Sequence, residues 1–285
     1  MVDLRVLTWN SGGEADGRGA TLANDVIGTN NHWGGVPVQL VTIQEANVGG
    51  GSIAAALANG PPFNTFIQPQ GFCREHLPAP AQPYRVMPSK AYRVSWLNTD
   101  PVAGNNIPTV PAVPALVNLD PANDAGVNAY IINLNLGPLP DASVRQAAGN
   151  MRWPVYQLLN RAGRAVHFFT WHAPLRANWL GADVLGIPLQ GPGLSIAFTL
   201  FQNSTFYTNI MNNLALNDLV VIAGDLNITG PDLANPVFFP NYIGVSENLT
   251  HILAYSPNNN MVANQNLAAV TPFPPHTILT ARIQW

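Results

Sequence analysis

Short runs of apolar residues, each followed by a polar side chain, recur along the chain. The runs cover residues 4–9, 37–43, 165–171 and 219–223, and the polar residues that follow them are Asn10, Glu45, His172, Asp225 and Asn227. Each run is too short for a helix and rich in β-branched or aromatic residues, which is typical of a buried strand. Because the polar residues come where the strands end, the pattern predicts that they gather at one edge of a sheet.

The run at 219–223 is the clearest of these strands. It stops at Gly224, after which Asp225 and Asn227 lie two positions apart and are therefore predicted on one side of an extended backbone. A carboxylate and an amide held there can bind a hard cation or a phosphate oxygen. The same residues also form ordinary turns after strands. A functional interpretation therefore depends on the polar residues at the other strand ends as well.

The rest of the chain predicts a layered α/β fold. Further strands are expected at 127–133, 249–254 and 277–283, helices at 19–28 and 193–214, and long loops at 60–122 around one short hairpin near 84–97. Strands and helices that alternate without a glycine-rich phosphate loop are typical of a layered α/β domain. No linker interrupts the pattern, so one domain over 1–285 is expected.

Composition limits the partners that the surface can bind. Hydrophobic residues make up 47% of the chain and charged residues 9%, with 24 Gly and 26 Pro, which indicates a loop-rich protein with a neutral surface. The net charge of -3 predicts that any phosphate contacts are few and local. The apolar runs are too short to span a bilayer, and residues 1–20 have no signal-peptide pattern. The single cysteine, Cys73, excludes an intrachain disulfide.

The basic residues are almost all arginine. Lys90 is the only lysine among 12 basic residues. Toxins that enter the host cytosol through the endoplasmic reticulum are similar in this respect, because ubiquitin attaches to lysine; chance and lineage bias are the alternatives. A secreted toxin that acts inside a host cell is therefore one expectation for localisation.

Four short motifs carry a family resemblance over nearly the whole chain. They are Trp9-Asn10, Gln44-Glu45, Thr170-Trp171-His172 and Gly224-Asp225-Leu226-Asn227. In this order they resemble the endonuclease/exonuclease/phosphatase superfamily, which includes deoxyribonuclease I. Within it, Val144-Arg145-Gln146, Arg152 with Pro154, and the segment 168–173 look most like the B subunit of cytolethal distending toxins. The resemblance implies a deoxyribonuclease I-like, four-layer α/β/β/α sandwich with a site at one end.

The resemblance also implies a divalent metal, Mg²⁺ or Mn²⁺. Glu45 would ligate it with help from Asn10. Since Mg²⁺ binds a few carboxylate oxygens and keeps several waters, one or two protein ligands are sufficient. A metal in this position polarises the phosphoryl oxygen and offsets developing charge.

The remaining roles implied by the resemblance concern the phosphate. Asp225 and Asn227 would orient the attacking water and a phosphate oxygen. His172 and His276 would contact the phosphate and take part in proton transfer, and Arg152 would bind a nonbridging oxygen.

Two acids expected from the family pattern are missing. The family's Ser-Asp-His reads Pro-Pro-His here, with Pro275 in place of the acid before His276. The aspartate that orients this histidine falls at Thr250, whose hydroxyl cannot stabilise an imidazolium by charge. His251 and Glu247 are the neighbours that could compensate.

Three functions follow from these observations. The first is a metal-dependent phosphodiesterase, a DNA endonuclease resembling the catalytic subunit of a genotoxin, with a partly altered site. The second is a phosphatase for phosphoinositides or other small phosphates, which the low content of basic residues favours. The third is a catalytically degenerate, toxin-like binding subunit. The expected partners are DNA or another phosphate ester as substrate, together with delivery or binding subunits.

Overall fold

A computed structural model describes most of the predicted strands. The described residues are 1–13, 38–47, 51–59, 63–69, 74–75, 85–86, 90–97, 154–173, 204–233, 239–265 and 276–285, with Gly19, Leu22, Phe198, Phe201 and Gln202. Arg152, Cys73 and Pro275 lie outside them, as do the predicted strand at 127–133 and most of the predicted helix at 19–28.

Within these residues the chain forms thirteen strands and three helices. The first half comprises β1 (Asp3–Asn10), β2 (Leu40–Asn47), α1 (Ser52–Ala58), β3 (Phe63–Pro69), β4 (Arg74–Glu75), β5 (Arg85–Val86) and β6 (Lys90–Leu97). The second comprises β7 (Val155–Arg161), β8 (Arg164–His172), α2 (Thr205–Asn212), β9 (Leu219–Asp225), α3 (Gly230–Leu233), β10 (Ile243–Glu247), β11 (Thr250–Tyr255), β12 (Val262–Gln265) and β13 (Leu279–Gln284).

The strands build two large mixed sheets and one small two-stranded sheet. The first sheet has the order β12-β13-β1-β2-β6-β3 and the second β10-β11-β9-β8-β7, while β4 pairs with β5. Each large sheet contains one parallel pair among its described strands, β1 with β2 and β8 with β9. Parallel neighbours end at the same edge of a sheet, so each large sheet presents two adjacent carboxyl ends.

The two large sheets pack face to face, with helical residues on both outer faces. Their inner faces share one core, to which the first sheet contributes Leu4 and Val6 and the second contributes Phe168 and Val221. Strand alternation turns the intervening side chains outward, so that Leu7 and Trp9 pack with Ile53 and Leu57 of α1. On the other side, Phe169 and Trp171 contact Phe201, and Phe169 also contacts Tyr207 of α2. The predicted four-layer α/β/β/α arrangement is confirmed.

Two predicted elements differ from the structure. The region 60–122 was expected to hold loops and one hairpin, but β3 lies within it and pairs with β6 along its whole length. The single helix predicted at 193–214 does not form, because Ser204 has extended backbone angles and caps a separate helix, α2, by accepting a hydrogen bond from the Tyr207 N–H. Apolar spacing indicated a helical segment but could not locate this cap. No helix among the described residues is long and apolar enough to cross a membrane.

Candidate functional site

The two parallel pairs end next to each other, at one end of the sandwich. In the first sheet Asn10 pairs with Gln44, and in the second His172 pairs with Asp225. The Asn10 side chain crosses between the sheets and donates from Nδ2 to Asp225 Oδ2 at 2.9 Å. The polar residues that close the four strands therefore share one site.

The inner face of β1 shows why the site forms there. Leu4 and Val6 lie in the core between the sheets, while Thr8 and Asn10, next on the same face, contact polar groups. Because inward positions alternate along a strand, the sequence itself changes the interior from apolar to polar toward the carboxyl end.

A β-bulge brings Glu45 into the site. On a regular strand Glu45 would face away from its neighbour Gln44, but the pairing of β2 with β6 shifts between Ile43 and Ala46, and Glu45 has a φ of 55°. Its Oε1 lies 3.4 Å from His172 Nδ1 and 3.5 Å from Asn10 Nδ2. Bulges and left-handed backbone at a non-glycine residue cost energy and cluster at functional sites.

Asp225 is the centre of the hydrogen-bond network. Its Oδ2 accepts from Asn10 and lies 3.3 Å from His276 Nδ1 and 4.0 Å from His172 Nε2, and its Oδ1 accepts from the Asn227 N–H at 3.0 Å. Burial alone would raise the pKa of Asp225. The His276 hydrogen bond, the His172 charge and the donors on Asn10 and Asn227 outweigh it and lower the pKa from 3.8 to about 2. Asp225 is therefore an ionised acceptor and a weak base at neutral pH.

The two histidines occupy different environments. His172 lies between the acids, facing Glu45 with Nδ1 and Asp225 with Nε2, and its backbone N–H donates to the Tyr92 hydroxyl at 3.0 Å. The His276 side chain is 26% exposed and faces Asp225 with Nδ1. Its Nε2, on the far side of the ring, is the imidazole nitrogen directed away from the acid.

Asn227 is held differently from its predicted position. The strand ends at Asp225, and Asn227 has a φ of 53° in place of an extended backbone. Its amide donates to the Ala173 carbonyl, which ties the end of β9 to the end of β8. Gly224 is required within β9, since a Cβ there would lie 1.9 Å from the Trp171 carbonyl oxygen. The prediction that both polar side chains project from one side of an extended backbone is wrong, because the backbone turns to a left-handed conformation at Asn227.

Thr250 stands directly across from Asp225 in the pairing of β11 with β9 and is buried. The carboxylate that holds His276 is therefore the one on Asp225. His251 is occupied elsewhere, because its Nδ1 contacts the Ser246 hydroxyl and its Nε2 the Ile228 carbonyl, each at 2.7 Å. A carbonyl only accepts, so Nε2 donates to Ile228, and in the neutral ring Nδ1 then accepts from the Ser246 hydroxyl.

The neutral His251 predicts a loss of stability in acid. Burial lowers its pKa below 6.5, against smaller raising effects from the Ile228 carbonyl and the Asp225 charge. As the pH falls below 6.5 the unfolded chain takes up the proton first, so the free energy of unfolding decreases until the lower pKa of the folded state is reached. We expect the urea midpoint to be lower at pH 5.5 than at pH 7.5 and the difference to be smaller in His251→Gln. An equal difference in both proteins would contradict this role.

Glu45 is the residue that best fits a hard cation. Asp225 accepts hydrogen bonds on both oxygens, and Asn10 turns Nδ2 to the acids while its Oδ1 accepts from the Gly12 N–H at 3.0 Å. In this orientation Asn10 is a donor, and metal ligation by Asn10 stays a prediction. The described residues contain no group of three or more His, Cys, Asp or Glu side chains that could enclose a metal. One carboxylate is nevertheless compatible with Mg²⁺, which keeps several waters.

Tyr92 contacts the site without having been predicted, whereas the predicted Arg152 is not among the described residues. Tyr92 has no functional signal in the sequence, because an aromatic residue within an apolar strand is usually core. It is 3% exposed and supports the backbone of His172. Arg152, predicted to bind a phosphate oxygen, lies outside the described residues.

The chain matches no protein-family model and no curated protein by sequence. Solved structures are similar in fold. A humanized TDP2 of D. rerio matches 99% of this chain and 99% of its own with 9% identity and a TM-score of 0.52. The human Nocturnin catalytic domain matches 99% and 93% with 12% identity and a TM-score of 0.50. An endonuclease/exonuclease/phosphatase family protein from Bacteroides thetaiotaomicron matches 99% and 94% with 9% identity and a TM-score of 0.50. The deoxyribonuclease I-like fold predicted from the sequence is confirmed.

Proposed function

We propose that the protein is a divalent-metal-dependent phosphodiesterase that cleaves DNA, with the altered site of a genotoxin-like catalytic subunit. The observation that carries the proposal is the convergence of Glu45, His172, Asp225 and His276 at the carboxyl ends of two parallel strand pairs. The likeness of fold to an endonuclease/exonuclease/phosphatase family protein supports hydrolysis of phosphate esters as the reaction class.

Proton transfer is assigned to His276. Asp225 holds Nδ1–H of this ring, so Nε2 carries the lone pair and can take a proton from the attacking water. An acid that fixes the tautomer of a histidine while staying ionised is an established arrangement for general base catalysis. The low pKa of Asp225 suits the orienting role, because the proton stays on the imidazole.

The other residues bind and orient. When protonated, His172 brings a positive charge between Glu45 and Asp225, at the place where a phosphate would approach. Glu45 would hold the metal, which supplies charge neutralisation at the phosphoryl oxygen. Arg152, by the resemblance, would bind a nonbridging oxygen.

A second candidate function is hydrolysis of a small phosphate ester, such as a phosphoinositide. The observation that favours it is the charge of the chain, which has 12 basic residues and a net charge of -3. Affinity for duplex DNA comes largely from neutralised phosphates, so a chain with few cations is suited to a substrate with few phosphates. The third candidate is a protein that has lost catalysis, because Thr250 and Pro275 stand where the resemblance implies two acids.

The salt dependence of DNA binding measures how many phosphate contacts the protein makes. We expect a labelled DNA duplex, bound in the presence of chelator, to give a shallow slope of log K against log salt, about -2 to -3, because each phosphate contact contributes about -0.9. A slope steeper than about -5 would contradict the expectation of few, local contacts.

Activity on the two substrates tests the proposal itself. Nicking of supercoiled plasmid in Mg²⁺ or Mn²⁺, abolished by chelator, is the expected result. Phosphate release from phosphoinositides without nicking would favour the phosphatase, and neither reaction from folded protein would favour the degenerate subunit.

A further inference from the structure

A layer of buried hydroxyl and amide groups lies between the two sheets, directly beneath the candidate site. Its members are Thr8, Thr42 and Gln44 from the first sheet and Thr170 from the second, all with no exposed surface. We call these four residues the polar layer. Thr8 precedes Asn10 by two positions and Thr170 precedes His172 by two, so the layer supports the site from the core side.

Hydrogen bonds in the polar layer join the two sheets. Gln44 Nε2 donates to Thr170 Oγ1 at 2.9 Å and to Thr8 Oγ1 at 3.1 Å. The Thr42 hydroxyl also donates to Thr170 Oγ1. Buried polar groups are unfavourable unless paired, and here they pair with one another across the interface between the sheets.

The polar layer lies where it can fix the distance between the strands that carry Glu45 and His172. Farther from the site the sheets pack through apolar side chains such as Val6 and Phe168, whose contacts have no directional requirement. A hydrogen bond is more restrictive, since it weakens steeply with length and angle. Glu45 directly follows Gln44 on β2, and His172 lies two residues beyond Thr170 on β8. The Gln44–Thr170 hydrogen bond therefore joins the same two strands as the Glu45–His172 contact of 3.4 Å.

We propose that Gln44 and Thr170 are positioning residues, which set the spacing between the sheets and so hold Glu45 against His172. The inference rests on the proposed function, because it assigns these residues a part in that reaction. A purely structural layer would stabilise the fold without affecting the rate of cleavage.

Two matched pairs of variants separate these roles. Thr170→Val keeps the shape of the side chain and removes its hydroxyl, while Thr170→Ser keeps the hydroxyl. Gln44→Leu removes the bridging amide, while Gln39→Leu removes another fully buried glutamine, whose Oε1 accepts from the Arg5 N–H at 3.0 Å. Gln39 lies at the other end of β2, away from the site.

We expect Thr170→Val and Gln44→Leu to lower kcat for plasmid nicking by about 10²-fold with little change in KM, the effect of a small misplacement of catalytic groups. Thr170→Ser and Gln39→Leu should retain kcat within about threefold. In a His172→Ala background Thr170→Val should add little, because both changes disturb the same contact. Urea unfolding of each variant shows whether the loss of rate exceeds what its stability explains.

Unchanged kcat in folded Thr170→Val and Gln44→Leu would overturn the inference. If the wild-type protein cleaves no phosphate ester, the proposed function fails, and the ring NMR signals of His172 at constant pH decide the positioning role. Shifts in Thr170→Val and Gln44→Leu, absent in Thr170→Ser and Gln39→Leu, would support it. Identical signals in all four variants would overturn it.

Discussion

Asp225→Asn is expected to lower kcat by about 10⁴-fold, the loss seen when an orienting aspartate beside a catalytic histidine is made neutral. The carboxylate accepts hydrogen bonds on both oxygens and lies 3.3 Å from His276 Nδ1. An asparagine of the same shape has one acceptor oxygen and a donor group, so it cannot hold the His276 tautomer and accept from Asn10 and the Asn227 N–H together. The rate of plasmid nicking under saturating substrate measures the effect.

Asp218→Asn is the matched control. Asp218 immediately precedes β9, at the opposite end from Asp225, and its two carboxylate oxygens accept from the Ala165 and Ala215 N–H groups. We expect it to change the urea midpoint and leave kcat unaltered. Equal rates for Asp225→Asn and the wild-type protein would show that His276 needs no orienting acid.

Glu45→Gln is expected to remove the metal-dependent part of the activity, a loss of about 10³-fold or more if the metal contributes several kcal/mol to transition-state stabilisation. Glu45 is the carboxylate that best fits a cation, and glutamine keeps its size while losing its charge. The bulge and the left-handed backbone angle do not depend on that charge, so the fold should persist.

The wild-type protein in chelator provides the reference for this variant. We expect Glu45→Gln to show the same residual rate with and without Mg²⁺, equal to that of the wild-type protein in chelator. Full Mg²⁺ stimulation of Glu45→Gln would show that the metal binds elsewhere.

Much of the fold could be predicted because regular strands repeat every two residues. The runs that end at Asn10 and His172 place their polar side chains on the inner face by simple alternation, and the structure brings them together. The confirmed four-layer arrangement follows from the same alternation, since β1 and β8 have apolar residues on both faces: Leu4 and Phe168 face inward, and Trp9 and Trp171 face outward.

The parts that could not be predicted depend on departures from that regularity. Glu45 enters the site through a bulge, and the strand that ends at Asp225 stops before Asn227, which turns back to the Ala173 carbonyl. Neither feature has a periodic signal. Tyr92 is a further contact at the site without a sequence signal, because a buried aromatic residue within a strand has the same pattern as ordinary core.

The contacts of Asp225 suggest how the site works without a carboxylate at position 250. With threonine at position 250, one carboxylate, Asp225, accepts from Asn10 and lies 3.3 Å from His276 Nδ1 and 4.0 Å from His172 Nε2. Asp225 is thus the acid that contacts His276, and the groups around Asp225 outweigh its burial and lower its pKa to about 2, which favours the ionised form. The proposed cleavage therefore depends on a site in which one carboxylate, Asp225, serves both His172 and His276.

The measurement that tests it most directly is nicking of supercoiled plasmid by the wild-type protein and by His172→Ala in Mg²⁺ and in Mn²⁺, followed on a gel. We predict nicking by the wild-type protein that disappears with chelator and falls to background in His172→Ala. Equal nicking by the folded wild-type and His172→Ala proteins would contradict the account, because the cleavage would then come from something other than this site.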